Sequence, residues 1–261
     1  MLKMIDLPIK HQTKGFGIVE IFVSLIISIV LSAGIFNLFQ SNKRAYRLEQ
    51  NLAELQQNGR FATTFLNRTI RLAGFRSQPK LDQMESYKDY QDIFPSGSEL
   101  IAGTNDDVNG SDTLTIRYQG SSNGNIFDCL ATPVQADKTA VSTFFINNQN
   151  QLVCAAVNNG VPNLNNPDVL VNNVEAMQIR FGEDLTNDGV VNRYVPPDYP
   201  DLDLKRVISV RVSLLLRTGD ESSPVLDNKY YALQDTEVGP FNDHYLRKVF
   251  TTTVLLRSKR S

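Results

Sequence analysis

The stretch KGFGIVEIFVSLIISIVLSAGIFNLF, Lys14 to Phe39, decides how the rest of the chain is read. From Phe16 onward it is apolar apart from one charge, Glu20. A helix of about 24 residues rises roughly 36 Å, enough to cross the hydrocarbon core of a bilayer. The preceding residues, MLKMIDLPIKHQTKG, carry Lys3, Lys10 and Lys14 against a single Asp6. That bias predicts a cytoplasmic amino end, with everything after Phe39 on the far side of the membrane. A secretory signal cut near Ser32-Ala33-Gly34 and a plain membrane anchor are the two ordinary readings. Glu20 argues against the first, because a carboxylate inside an apolar segment costs a few kcal/mol and asks for a function.

Composition narrows the field further. The 261 residues are 41% hydrophobic and 21% charged, so the bulk is neither disordered nor polytopic. Formal net charge is −2, which argues against a dedicated nucleic-acid binder. The two histidines, His11 and His244, lie too far apart for an HExxH site, and two cysteines cannot make a four-cysteine zinc site. No Walker loop or GxGxxG is present. An enzyme is disfavoured on these grounds, although counting residues does not eliminate a Ser/Lys or paired-carboxylate site.

Lys14-Gly15-Phe16-Gly17-Ile18-Val19-Glu20 resembles the class III leader of type IV pilins and type II secretion pseudopilins. The resemblance implies cleavage by a prepilin peptidase between Gly15 and Phe16, N-methylation of Phe16, and a role for Glu20 at the fifth mature position. Loss of the leader would take the formal charge from −2 to −4. The physics suits such a role. Cleavage leaves a cationic amine, with a reference pKa near 7.7–8.0 before methylation. Glu20 sits about one helical turn beyond it, where the helix macrodipole also favours a carboxylate. Between packed helices, Glu20 of one subunit and the Phe16 amine of its neighbour would form a pair that fixes register, whereas an unpaired Glu20 is penalised. The plainer alternative is that Glu20 snorkels to the membrane interface.

No proline lies between Pro8 and Pro79, and Ala45, Leu48, Leu52, Leu55, Gly59, Ala62, Leu66, Thr69 and Ala73 recur in steps of three and four. This stripe predicts one helix from about Phe16 to Ala73, roughly 85 Å long, with Gly74 as its C-cap. A coiled coil would use the same stripe, but Phe61, Phe65 and Ile70 widen it, and small Gly59 and Ala62 suit packing on a sheet. Ser41-Asn42-Lys43-Arg44-Ala45-Tyr46-Arg47, then Leu55-Gln56-Gln57-Asn58-Gly59-Arg60-Phe61-Ala62, then Ile70-Arg71-Leu72-Ala73-Gly74-Phe75 resemble the PilW family of minor pilins. So does Arg247-Lys248-Val249-Phe250-Thr251-Thr252-Thr253-Val254 near the other end.

Beyond Ser77 the composition turns polar, and residues 77–112 read as an irregular connection broken by Pro79 and Pro95. Strand-like runs follow at 113–119, 141–146, 151–157, 174–181, 207–217 and 249–256. In the 207–217 run, Val210, Val212, Leu214 and Leu216 share one face, with Ser209, Arg211, Ser213 and Arg217 on the other. The expected fold class is therefore α+β and pilin-like, with a long helix packed on an antiparallel sheet head. The expected segments are a leader at 1–15, a transmembrane or fibre-core helix at 16–39, its amphipathic continuation at 40–75 and a periplasmic β-rich head at 76–261.

Cys129 and Cys154 form an even pair outside the cytoplasm, with Asn147-Asn148-Gln149-Asn150 as a turn between them. A disulfide is expected, worth roughly 3.5 kcal/mol for a closed loop of about 26 residues in the chain-entropy model. Asp184, Thr186 and Asp188 alternate before Gly189, which is how a Ca2+ loop opens, with the Val190 carbonyl and Asn192 as further oxygens. Val195 stands where an EF-hand needs a bidentate Glu, so two readings stay open: a Ca2+ site, or an Asx-rich turn of the kind PilW-like proteins carry here. His244 is expected to be an exposed loop residue. Tyr230, Tyr231 and Tyr245 suit either an interface rim or ordinary partial burial.

The resemblance implies a non-catalytic minor pilin that helps initiate type IV pilus assembly, with no other cofactor expected. Implied partners are the prepilin peptidase, other minor pilins, the major pilin, the inner-membrane assembly machinery and a tip adhesin; nucleic acid is not among them. Implied locations are the inner membrane, single-pass with a periplasmic head, and then the pilus on the cell surface. A type II secretion pseudopilin shares the leader, although the 41–75 stretch disfavours it. A membrane-tethered periplasmic enzyme would need a pocket with convergent titratable groups. A DNA-uptake pilin would need a basic exposed patch.

Overall fold

The computed structural model describes residues 15, 17–76, 94, 99–108, 110–136, 138–158 and 167–259. The leader residues 1–14, Phe16 and most of the segment between Ser77 and Ser98 lie outside the described residues. The chain divides into two compact units, Met1–Arg47 and Leu48–Ser261, and helix α1 (Ile18–Ile70) runs from the first into the second.

In the first unit every described position from Gly17 to Phe39 is exposed. Among the described residues, α1 is the one helix long and apolar enough to cross a membrane. Two of its hydroxyls are satisfied internally. Ser24 and Ser28 donate to the carbonyls of Glu20 and Ser24, at 2.7 and 2.8 Å, so neither presents a bare donor to an apolar medium.

The second unit holds eleven strands among the described residues. Strands β1 (Ile101–Val108), β2 (Ser111–Gln119), β3 (Thr139–Ile146), β4 (Gln151–Asn158) and β5 (Asp168–Asn172) form an antiparallel meander in chain order. Next come β6 (Val174–Glu183), β7 (Arg193–Val195), β8 (Val207–Arg217), the short hairpin β9 (Tyr231–Leu233) and β10 (Thr236–Val238), and β11 (Arg247–Leu255). They build a second antiparallel sheet in the order β11-β8-β6-β7, with β9 and β10 paired separately. The head thus has two main sheets where one was expected. Residues 101–108, read from sequence as irregular, form β1: Gly103, Asn105 and Asp106 hide its alternation, and its pairing with β2 supplies the backbone partners that propensity does not.

The sheets share one core with the carboxyl-terminal part of α1. Leu55, Ala62, Leu66, Ile70 and Ala73 meet Ile116 and Tyr118 of β2, Phe144 of β3, Ile179 and Phe181 of β6, and Val210, Val212 and Leu214 of β8. Phe65 packs edge-on against Phe144 with ring centroids 6.3 Å apart. The sheets are also stitched by side chains. The Asp112 carboxylate accepts from the Ile179 amide at 2.7 Å, and the Ser111 hydroxyl accepts from the Met177 amide at 3.3 Å. Burial pushes the Asp112 carboxyl up to about 6, against the pull of the Ile179 and Asp106 amides and of Arg180.

Helix α1 ends three residues before Ala73. The amides of Leu72 and Ala73 turn to the carbonyls of Thr69 and Ile70, and Gly74 donates to the Arg117 carbonyl of β2 at 2.8 Å. Gly74 has φ +74°, where its missing side chain matters, but its amide joins the helix end to the sheet and does not cap the helix. The outer face of β8 is not a solvent face. Ser209, Ser213 and Leu215 are buried there, and the β9–β10 hairpin places Leu233 on Leu215 and Ala176.

Gly59 lets α1 approach β11 closely: a Cβ there would run into the Phe250 ring. Helix propensity alone favours Gly59→Ala by about 1 kcal/mol. The packing predicts a net loss of about 1–3 kcal/mol from forcing the ring aside. Urea unfolding of the detergent-solubilised chain checks the sign.

Candidate functional site

At the amino end, Gly15 and Gly17 are exposed, and Phe16, the expected first mature residue, lies outside the described residues. The Gly17 amide donates to Glu20 Oε2 at 3.0 Å, while the Glu20 amide donates to the Gly17 carbonyl at 3.0 Å. The carboxylate therefore folds back over the first turn, as the N3 residue of a capping box does, and faces the end from which the chain enters the helix. In the run from Gly17 to Phe39, exposed and otherwise without charged residues, this is the one carboxylate.

A disulfide joins Cys129, in the β2–β3 connection, to Cys154 on β4, with the Cα atoms 6.4 Å apart. Both cysteines are buried. Asp128 Oδ1 accepts from the amides of Leu130 and Thr132, at 2.9 and 2.8 Å, and this Asx turn presents Cys129 to the sheet. The Asn147–Asn150 turn joins β3 to β4 as expected, with Asn147 Oδ1 accepting from the Gln149 and Gln151 amides.

The structure brings Asp184, Thr186, Asp188, Val190 and Asn192 into one turn between β6 and β7. Its oxygens face the backbone. Asp184 accepts from the amides of Asn187, Asp188 and Gly189, at 2.6, 3.2 and 2.7 Å. Asp188 Oδ1 accepts from the Val190 amide, and Asn192 Oδ1 accepts from the Leu185 amide at 2.6 Å, closing the loop. Burial raises the Asp184 pKa, but the three amides and Thr186 outweigh it and hold the carboxyl below its usual range. Among the described residues no three His, Cys, Asp or Glu side chains converge as a metal site. Of the two readings, this geometry favours the Asx turn. Behind the loop, buried Glu183 accepts from Arg193 at 2.7 Å and from the Asp203 amide at 2.8 Å.

The most elaborate polar cluster escaped the sequence reading. Arg247, at the start of β11, is fully buried. It donates to Glu175 at 2.6 and 2.9 Å, to Asp243 at 2.6 Å through two nitrogens, and to Asp227 at 2.9 Å. Its guanidinium lies 3.7 Å from the centroid of the Phe241 ring, and Arg217 stacks on Tyr245 at 4.1 Å. Tyr231 donates to Asp227 at 2.8 Å, and its hydroxyl is pushed up to about 12, chiefly by burial and then by that carboxylate. Burial alone would lower the Arg247 pKa, but its bonds to Asp243 and Glu175 outweigh that and keep it charged. His244, expected to be exposed, is half-buried here, with Nδ1 3.1 Å from the Ser223 carbonyl. The cluster pins the 218–246 excursion to the outer face of the second sheet. Its acidic members at 175, 227 and 243 show no periodicity; only the Asp243–Arg247 spacing hinted at a pair.

With this geometry in view, comparison with known proteins is informative. The family model described as PilW, Type IV Pilus-assembly protein W, matches residues 135–258. Residues 135–258 of the head are thus similar to that family. The match spans β3 to β11 and includes Cys154, the Asp184 turn and the Arg247 cluster. A solved structure titled "Type IV-like pilin TTHA1219 from Thermus thermophilus" is 16% identical, with a TM-score of 0.46, covering 81% of this chain and 98% of that one. No curated protein matches.

Two measurements test the PilW-like head. Arg247→Met leaves three buried carboxylates facing one another, so stability at pH 7 falls by about 3–5 kcal/mol. In the intact protein the Asp243 carboxyl is held low, first by the Arg247 bond, so its contribution is present above about pH 3.9 and is lost as pH falls through the lower folded value. In the variant the uncompensated carboxylates titrate upward, so the deficit shrinks towards pH 4; urea unfolding at both pH values reads it. For the Asp184 turn, Asp184→Ala lowers Tm equally in EDTA and in Ca2+. A Ca2+-dependent rise in the parent that vanishes in the variant would assign the loop to the cation.

Proposed function

We propose that this protein is a type IV minor pilin, made as a membrane-held precursor, trimmed between Gly15 and Phe16 and methylated on Phe16, which helps initiate pilus assembly with other minor pilins and the major pilin. The observation that carries the reading is the pairing, in one chain, of a head matched to PilW over residues 135–258 with an exposed apolar helical run, Ile18 to Phe39, whose sole charge is Glu20.

The mechanism is packing. In the membrane the helix is held by lipid; in a fibre the same exposed face is buried against neighbouring helices. Glu20 already turns its carboxylate towards the amino end through Gly17. A neutral amide leaves the charge uncompensated, and an uncompensated carboxylate in apolar surroundings costs several kcal/mol. A neighbour's Phe16 amine removes that cost at one register alone, so the penalty becomes a positioning device. The head stays on the periplasmic side and carries the surfaces that meet other subunits.

The intact mass of the purified mature chain is expected to correspond to N-methylated Phe16–Ser261; a chain starting at Met1 or near Ile35 refutes the reading. Glu20→Ala is expected to be trimmed normally yet recovered in sheared fibres at about a tenth of the parent level or less, the factor that loss of roughly 1.4 kcal/mol or more implies. Unchanged recovery removes the register role of Glu20.

A further inference from the structure

Five arginines of the head are paired with carboxylates. Arg180, Arg193, Arg206, Arg217 and Arg247 each have a carboxylate partner, and Arg180 reaches both Asp112 and Asp235. Three others stand together without one. Arg68 and Arg71 on and just beyond α1, and Arg257 after β11, line one groove of about 490 Å³ with Thr64, Asn67 and Thr252, and among the described residues none of the three meets a carboxylate. The groove walls are tied. Asn67 Nδ2 donates to Thr252 Oγ1 at 3.5 Å, and the Ser258 hydroxyl donates to the Ala73 carbonyl at 2.9 Å, which holds the Arg257 turn against the helix end.

Three like charges on one rim repel one another, and Arg68 and Arg71 are neighbours at a three-residue helical spacing. The arrangement is relieved by an anion. The lining is polar apart from Leu72, open along its length, and flanked by hydroxyl and amide groups able to bond a peptide backbone. We propose that this groove binds an acidic peptide segment of a protein partner, with Arg68, Arg71 and Arg257 taking its carboxylates. Guanidinium forks suit that chemistry because each bonds a carboxylate through two nitrogens. A nucleic acid fits less well: the groove has no aromatic side chain on which a base could stack, and a chain of net charge −2 repels a long polyanion beyond the three cations. That the partner is a pilus subunit rests on the pilin reading; the binding itself does not.

The test uses the full chain in non-ionic detergent and fluorescein-labelled hexaglutamate, followed by anisotropy. Binding is expected at low salt and is expected to weaken as salt is raised from about 25 to about 300 mM. The triple variant Arg68→Gln/Arg71→Gln/Arg257→Gln is expected to lose about tenfold or more in affinity with an unchanged melting curve, since all three side chains are exposed. Arg60→Gln, on the same helix but outside the groove, is expected to bind as the parent does. No binding by the parent at low salt, equal binding by the triple variant, or tighter binding of an oligothymidylate of equal charge would each overturn the proposal. No filament is involved, so any of these results leaves the pilin reading standing.

Discussion

The head depends on one contact surface: the α1 stripe from Leu55 to Ala73, closed over two sheets at once. Burial of this stripe is what makes the two sheets one core, because each sheet alone would present a bare apolar face. Small residues set how close the helix can come. Gly59 admits the Phe250 ring, and Ala62 sits fully buried beneath the helix axis. The side-chain bonds from Ser111 and Asp112 to the β6 amides complete the joint where no strand pairing continues between the sheets.

Around that core, covalent and ionic fastenings hold what propensity would leave loose. The disulfide ties the β2–β3 connection to β4, and the Arg247 cluster ties the 218–246 excursion to β6, β8 and β11. The second device is the more demanding. A buried guanidinium surrounded by three carboxylates is favourable only as a complete set, because each desolvated charge needs its partners in place. The geometry is accordingly tight, with bonds of 2.6–2.9 Å and aromatic rings on the faces of both arginines.

The first unit follows the opposite logic. Its apolar side chains from Ile18 to Phe39 are exposed, the hydroxyls of Ser24 and Ser28 are satisfied by the helix's own carbonyls, and the Glu20 carboxylate accepts from the Gly17 amide. Such a surface is stable in lipid or against other helices and not in water.

Much of this was legible in the amino acids alone. Hydropathy, the recurrence of Leu and Ala at helical spacing and the alternation in 207–217 depend on local periodicity, so the long helix, its buried stripe and the principal strands could be read directly. The PilW resemblance of residues 247–254, inside the matched 135–258, rests on a local motif as well. Non-local partners were not legible. Strand β1 is a strand because β2 lies beside it, Leu215 on the outer face of β8 is buried because Leu233 of a later hairpin covers it, and Arg247 is buried where carboxylates from three separate segments converge on it. Spacing along the chain determines which face a side chain takes; only the folded backbone decides what stands opposite, since charge pairing and packing depend on distances that sequence order does not encode.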